Sequence, residues 1–143
     1  MTNLSMMKNR LVFVDTSAHF ALANSKDIDH ENAQKFFEQL SQESTVLYVS
    51  NFIIVETYTL MLRKISRNKA INYIENLIKT SEIEPIKERD EKRTWEIILK
   101  FKDKDFSDTD ATSFALMERL GFFEAFTFDD HFEQYGFRRL PEN

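Results

Sequence analysis

The chain of 143 residues has no cysteine, two glycines and two prolines. Without cysteine there is no disulfide framework, no thiolate metal site and no thiol nucleophile, and a reducing cytoplasm is the expected compartment. Two widely separated glycines, Gly121 and Gly136, exclude a P-loop and a dinucleotide-binding fingerprint. The scarcity of Gly and Pro also leaves no flexible linker, so one domain over 1–143 is expected, long enough to bury a core. No serine has the surroundings of a nucleophile elbow. The apolar stretch after Lys8 and Arg10 stops at Asp15, too short for a secretory leader and far too short for a membrane span. The three histidines, His19, His30 and His131, show no zinc-binding spacing and read first as surface or packing residues. Only His131, close to Asp129, has a route to chemistry. Cations do not dominate either: the net charge is −5, so no basic footprint advertises nucleic acid. Bound divalent cations would largely cancel that charge, which makes acidity a weak argument against such a substrate.

Aromatic residues are plentiful, with 14 phenylalanines, and apolar runs alternate with helical patterns. Leu11–Val14 is a continuous apolar run typical of a buried parallel strand. A short helix through Phe20, Ala21 and Leu22 follows. A longer helix, capped by Asp27 or Asp29, places Ala33, Phe36, Phe37 and Leu40 at helical spacing. A strand over 45–49 precedes a helix from Asn51 to Lys64. The helix starting at Ser66 puts Ala70, Ile71, Ile74, Leu77 and Ile78 on one face. A short strand at 83–86 leads to a helix over 88–102 with Trp95, Ile98, Leu99 and Phe101 turned inward. The next helix, 109–120, is stopped by Gly121. A strand at 122–128, a helical turn at 130–135 and an edge strand at 137–140 close the chain. This alternation predicts a three-layer α/β/α sandwich around a mainly parallel sheet.

Four acids sit against or inside apolar runs: Asp15 after the first strand, Glu56 within Phe52–Glu56, Asp110 at the head of a helix, and Asp129 after Phe128. In open parallel sheets ligands bind outside the carboxyl ends of the strands, and all four can face that rim. Each aspartate has a capping alternative: Asp15 for the helix beginning near Ser17, Asp129 for the turn at His131 in competition with Asp130, and Asp110 in a capping box with Ser107. Glu56 lies too far into its helix to cap. Its neighbours Phe52, Ile53 and Leu60 place it on a core-facing stripe, where an acid without a partner is costly.

Carboxylates grouped without Cys or His select a hard cation, Mg²⁺ or Mn²⁺. Such a site activates water and neutralises a leaving oxyanion, so no protein nucleophile is needed. The chemistry expected is metal-dependent hydrolysis of a phosphodiester.

The segments Val14-Asp15-Thr16-Ser17, Val55-Glu56, Ser107-Asp108-Thr109-Asp110-Ala111 and Thr127-Phe128-Asp129 resemble, in order and spacing, the acidic motifs of PIN domain proteins. The likeness runs from about Leu11 to Leu140 and is greatest to the VapC-type toxins. That resemblance implies a PIN-like fold and an Mg²⁺- or Mn²⁺-dependent endoribonuclease, usually dimeric and held inactive by a small antitoxin. It implies Asp15, Glu56, Asp110 and Asp129 as metal-binding acids, with Thr16, Ser17 and Thr127 as supporting hydroxyls. Two positions depart from the pattern. Asp108 adds a second candidate acid to its turn, and Asp130 stands where the family often has Arg, which removes a cation beside the expected phosphate path.

For RNA contact the best basic stretch is Arg63, Lys64, Arg67 and Lys69, at a junction of two helices; a solvated helix end is the competing reading. Part of the phenylalanine content is expected to build a dimer face. Two other functions remain open. One is a catalytically silent PIN-like module that binds RNA or a protein, against which the intact acids speak. The other is an Asp-nucleophile phosphohydrolase, which would need a second acid where Ser17 stands.

Overall fold

The computed structural model of the protein describes residues 9–142, so Lys8 and the two chain ends lie outside the described residues. Strand β1 (Arg10–Val14) runs through the centre, with Val12, Phe13 and Val14 fully buried. Such burial requires cover on both faces, and a near-continuous apolar run meets it. On one side lie β2 (Thr45–Ser50) and then β3 (Glu82–Glu84); on the other lie β4 (Glu124–Phe126) and then β5 (Arg138–Leu140). All the pairings are parallel.

The helices are α1 (Thr16–Ala23), α2 (His30–Ser41), α3 (Asn51–Lys64), α4 (Arg67–Thr80), α5 (Glu88–Lys100), α6 (Asp108–Leu120) and α7 (His131–Tyr135). They pack in two groups: α1 against α2 and α3, with α3 against α4; and α5 against α6, with α6 against α7. The strand order explains the grouping. From β1 the chain steps outward to β2 and β3 through α1 to α4, then returns past β1 to β4 through α5 and α6. Right-handed crossovers put these two progressions on opposite faces of the sheet. The order therefore reverses between β1 and β4, and a crevice opens at their carboxyl ends. Among the described residues no helix is long and apolar enough to cross a membrane.

The expected three-layer architecture is present, with a wholly rather than mainly parallel sheet. Several details differ from the sequence expectation. The strand expected at 83–86 spans Glu82–Glu84 and ends before Pro85, which cannot donate to a ladder. The one expected at 122–128 shortens to Glu124–Phe126: Thr127 still donates to the Leu140 carbonyl at 3.0 Å, but the amides of Phe128 and Asp129 turn to the hydroxyls of Ser17 and Thr127. Trp95 and Leu99, expected inward, are 56% and 67% exposed, and Ile78 is exposed too. Helix α5 instead buries Asp90, Thr94 and Ile97. Arg119, on α6, holds Asp90 with two hydrogen bonds of 2.8 and 2.9 Å, and Thr94 donates to Thr112 at 3.3 Å. Burial pushes the Asp90 carboxyl up, but the Arg119 hydrogen bonds and charge outweigh it and the net shift is downward. Satisfied polar groups therefore set the phase of α5, against the apolar pattern. The clasp also ties α5 to the helix that bears Asp110.

Candidate metal and active site

Asp15 is the residue directly after β1. It is the N-cap of α1, so the capping role weighed from sequence is real, but most of its bonding lies elsewhere. Its Oδ2 accepts from Ser17 Oγ at 2.8 Å and from Thr127 Oγ1 at 2.9 Å, while the capping bond from the Ser17 amide is longer, 3.4 Å. Burial raises the Asp15 carboxyl to about 6 despite these hydroxyl donors, and the charges of Asp110 and Glu56 push it the same way. Its Oδ1 has no protein donor among the described residues.

Asp110 stands in the first turn of α6 in a reciprocal capping box with Ser107: its amide donates to Ser107 Oγ at 3.0 Å, and its Oδ2 accepts from the Ser107 amide at 3.3 Å. The same Oδ2 lies 2.7 Å from His131 Nδ1. Burial raises this carboxyl, and the His131 hydrogen bond opposes the rise without cancelling it. Asp129 follows β4; its Oδ1 accepts from the His131 amide at 2.8 Å and lies 3.3 Å from His131 Nδ1. Burial alone would lower the His131 imidazole, but the Asp110 bond and the charges of Asp129 and Asp110 raise it overall. Asp110, Asp129 and His131 each offer a ligand atom within 4.8 Å of the others.

A wire of short bonds holds the two strand ends in register. Ser17 Oγ and Thr127 Oγ1 are 3.1 Å apart; the Phe128 amide donates to Ser17 Oγ at 2.9 Å, and the Asp129 amide to Thr127 Oγ1 at 3.0 Å. Ser17 and Thr127 thus stand where supporting hydroxyls were expected. Thr16 does not: its Oγ1 accepts from Thr57 at 3.3 Å instead.

Glu56 is placed differently from the sequence reading. The buried stripe of α3 is Ile53, Thr57 and Met61, and Glu56 is only half-buried. It lies with Phe52, Val55, Leu60, Arg63 and Thr109 along an apolar cleft of about 680 Å³ that reaches Thr16, next to Asp15. About a quarter of a helical turn of phase separates a core stripe from a cleft wall, and the apolar neighbours Phe52 and Leu60 of Glu56 serve the wall. It is near enough to act on Asp15, and both lie outside the tight group of ligand atoms formed by Asp110, Asp129 and His131. Asp108 is exposed at the start of α6 and accepts from Thr112 at 3.4 Å, apart from that group.

Asp130 is 71% exposed along its side chain and pairs with Arg139 of β5 at 2.8 Å. Arg139 of β5 therefore brings a cation to position 130, where it is paired with that acid. Of the expected RNA contacts, Arg63 alone lines the cleft beside Glu56; Lys64 and Arg67 are exposed elsewhere, and Lys69 borders a separate depression near Asn72 and Tyr73. His131, which reads from sequence first as a surface or packing residue and is kept as a candidate only for its nearness to Asp129, joins the group. Its signal was the two-residue spacing from Asp129, which an Asx-type turn needs in order to bring the ring back over the acid.

Acids gathered at the switch point of a parallel three-layer sheet place the chain in the class of α/β folds that keep their functional groups at that edge, and one family of this class matches. The PIN domain model matches residues 12–138, and the chain belongs to the PIN domain family. A 23S rRNA-specific endonuclease, VapC20 of Mycobacterium tuberculosis, is 31% identical over 128 residues, 89% of this chain and 95% of that protein. The crystal structure of VapC20, described as a sarcin–ricin loop cleaving toxin, superposes with a TM-score of 0.81 at 30% identity, over 88% of this chain and 95% of that one. The fold is shared as well with VapBC2 of Rickettsia felis bound to a promoter DNA fragment. There the TM-score is 0.70 at 11% identity, over 90% of this chain and 96% of that one.

Proposed function

We propose that this protein is an endoribonuclease that hydrolyses RNA phosphodiesters with a divalent metal, Mg²⁺ or Mn²⁺, and serves as the toxin of a toxin–antitoxin pair. The observation that carries the reading is the acid group at the switch point: Asp110 and Asp129 meet around His131, and Asp15, joined to them through Thr127, is buried with its carboxyl raised to about 6. The donor set fits a hard cation. It is rich in carboxylate oxygen, has no sulfur, and leaves Oδ1 of Asp15 without a protein donor. Asp15, Asp110 and Asp129 would hold the ion, with Glu56 approaching from the cleft side and His131 available as a nitrogen donor. Such an ion, when bound, supplies Lewis acidity toward the phosphate and lowers the pKa of water.

The chain's own groups do the positioning. Ser17 and Thr127 fix the orientation of Asp15, and the capping box fixes the backbone of Asp110. His131 bridges Asp110 and Asp129 and draws two like charges together that would otherwise separate. The 23S rRNA target of VapC20 makes ribosomal RNA the first substrate to test. Action as one nuclease domain over 1–143, a homodimeric state, a cytoplasmic location and neutralisation by a small antitoxin belong to the same proposal. The apolar cleft beside Glu56 suits the apolar side of such a protein partner.

The test incubates wild type, Asp15→Asn and Glu56→Gln with an RNA pool in Mg²⁺ or Mn²⁺, and again with EDTA. Cleavage by wild type that both EDTA and Asp15→Asn abolish is the expected result. Equal cleavage by all three proteins would sink the assignment and favour a silent RNA- or protein-binding module.

A further inference from the structure

Thr127 faces two ways. Besides donating to Asp15, it lines a second cleft, of about 460 Å³, at the carboxyl ends of β4 and β5. This cleft is polar where the one beside Glu56 is apolar. From α2 it receives Asn32, Lys35 and Gln39, exposed side chains spaced i, i+3 and i+7 beside the buried Ala33, Phe36 and Leu40. Asp29 adds a carboxylate acceptor. Phe128 adds a half-buried ring, set edge-on to Phe126, which in turn meets Phe36. Arg139 adds a guanidinium held in place by Asp130 at 2.8 Å.

Each component has a counterpart in single-stranded RNA. A splayed base stacks on an aromatic ring and is read along its edge by groups that donate and accept. Phosphates are met by Lys and Arg. Asn32 and Gln39 offer both hydrogen-bond senses, and the Asp29 carboxylate suits an exocyclic amino group. A cleft of this volume lies in the range that holds a small ligand, and Thr127, which lines it and donates to Asp15, sets that ligand one side chain away from the acids.

We infer that the Asn32–Gln39–Phe128–Arg139 cleft holds one nucleotide of the RNA beside the scissile phosphate and sets the base preference of cleavage. The inference rests on the nuclease reading for its substrate. Asn32 and Gln39 read the base edge, Phe128 supports its face, and Lys35 and Arg139 take the phosphates.

The test sequences the ends produced from a random RNA pool by wild type and by the double variant Asn32→Ala/Gln39→Ala. Without the two amides to read the base edge, the preference at one position flanking the cut falls roughly tenfold and KM rises. Unchanged preference and unchanged KM, with wild type active, would overturn the inference and leave the nuclease assignment standing. Should wild type cleave nothing, the nuclease reading fails, and a titration of ¹⁵N-labelled full-length protein still decides the cleft. The probes are the four ribonucleoside 5′-monophosphates and inorganic phosphate. Amide shifts at Asn32, Lys35 and Phe128 that differ among the bases support the site. No shifts there, or shifts matched by inorganic phosphate alone, refute it.

Discussion

Beside Glu56 the cleft wall is Phe52, Val55 and Leu60; beside Thr127 it is Asn32, Lys35, Gln39 and Arg139. Both clefts border Asp15, one through Thr16 and the other through Thr127, so one acid cluster has an apolar approach and a polar one. A single site can in this way serve two kinds of partner. Apolar surface left in water is best covered by another protein, whereas amides, cations and a ring in one cleft suit a nucleotide. The acids lie between them, where the strand order reverses.

The largest effect should come from the junction itself. Asp15→Asn removes the best-ordered carboxylate and should lower cleavage by more than about 100-fold, the upper end of what losing even an outer partner of a metal site costs. Retained activity in a gel-based RNA assay would show that the two clefts do not share a catalytic centre.

The same substitution has a second readout in metal-free protein. The Asp15 carboxyl is raised to about 6, so the folded state holds this proton longer than the unfolded chain does. Stability linked to it is present at low pH and lost as pH rises through about 6, by up to about 3 kcal/mol. Asp110, also raised by burial, contributes with the same sign. Thermal melts of wild type and Asp15→Asn from acid to neutral pH should therefore diverge, with the variant the more stable at neutral pH. Parallel curves would contradict the burial of Asp15.

Next in size is the apolar cleft. Val55 is 66% exposed, so Val55→Asp should change stability by no more than about 0.5 kcal/mol. It should weaken a bound antitoxin by about tenfold or more, the effect of burying an unpaired charge in an interface. RNA cleavage that falls equally would mean that the two clefts are not divided between partners.

A smaller change is expected from Lys35→Ala, which should weaken all RNA sequences alike and reduce the salt slope of binding by roughly 0.7, the value for one phosphate no longer neutralised on a single strand. The smallest belongs to Lys64→Ala and Arg67→Ala, whose side chains stand away from both clefts; less than about twofold is expected from an exposed cation without a fixed partner. A larger loss there than at Lys35 would move the RNA path to the helix junction and leave the polar cleft without its substrate.

Much of this arrangement could be read along the chain. The apolar run ending at Asp15, the capping-box spacing of Ser107 and Asp110, and Asp129 after Phe128 are local signals, and the rules behind them span only a few residues. They place acids at strand ends and helix starts, and an alternating α/β pattern puts those points on one edge. Family membership was legible for the same reason. Glu56 was the residue read least well. Helical spacing shows that it shares a face with Phe52 and Leu60, but not whether that face meets the core or water.

Other features depend on residues distant in sequence, and the folded chain alone settles them. The return from β3 past β1 to β4 brings Thr127 onto Asp15 and links Asp129 to it through that hydroxyl. The α7 turn lays His131 across Asp110 and Asp129. Arg139 reaches Asp130 from β5, and α2 stands over Thr127 to make the polar cleft. Local periodicity sets which side chains share a face, whereas the packing of elements sets what that face meets. The acids were therefore visible in order along the chain, and the two unlike approaches to them appeared only when the sheet brought its strand ends together.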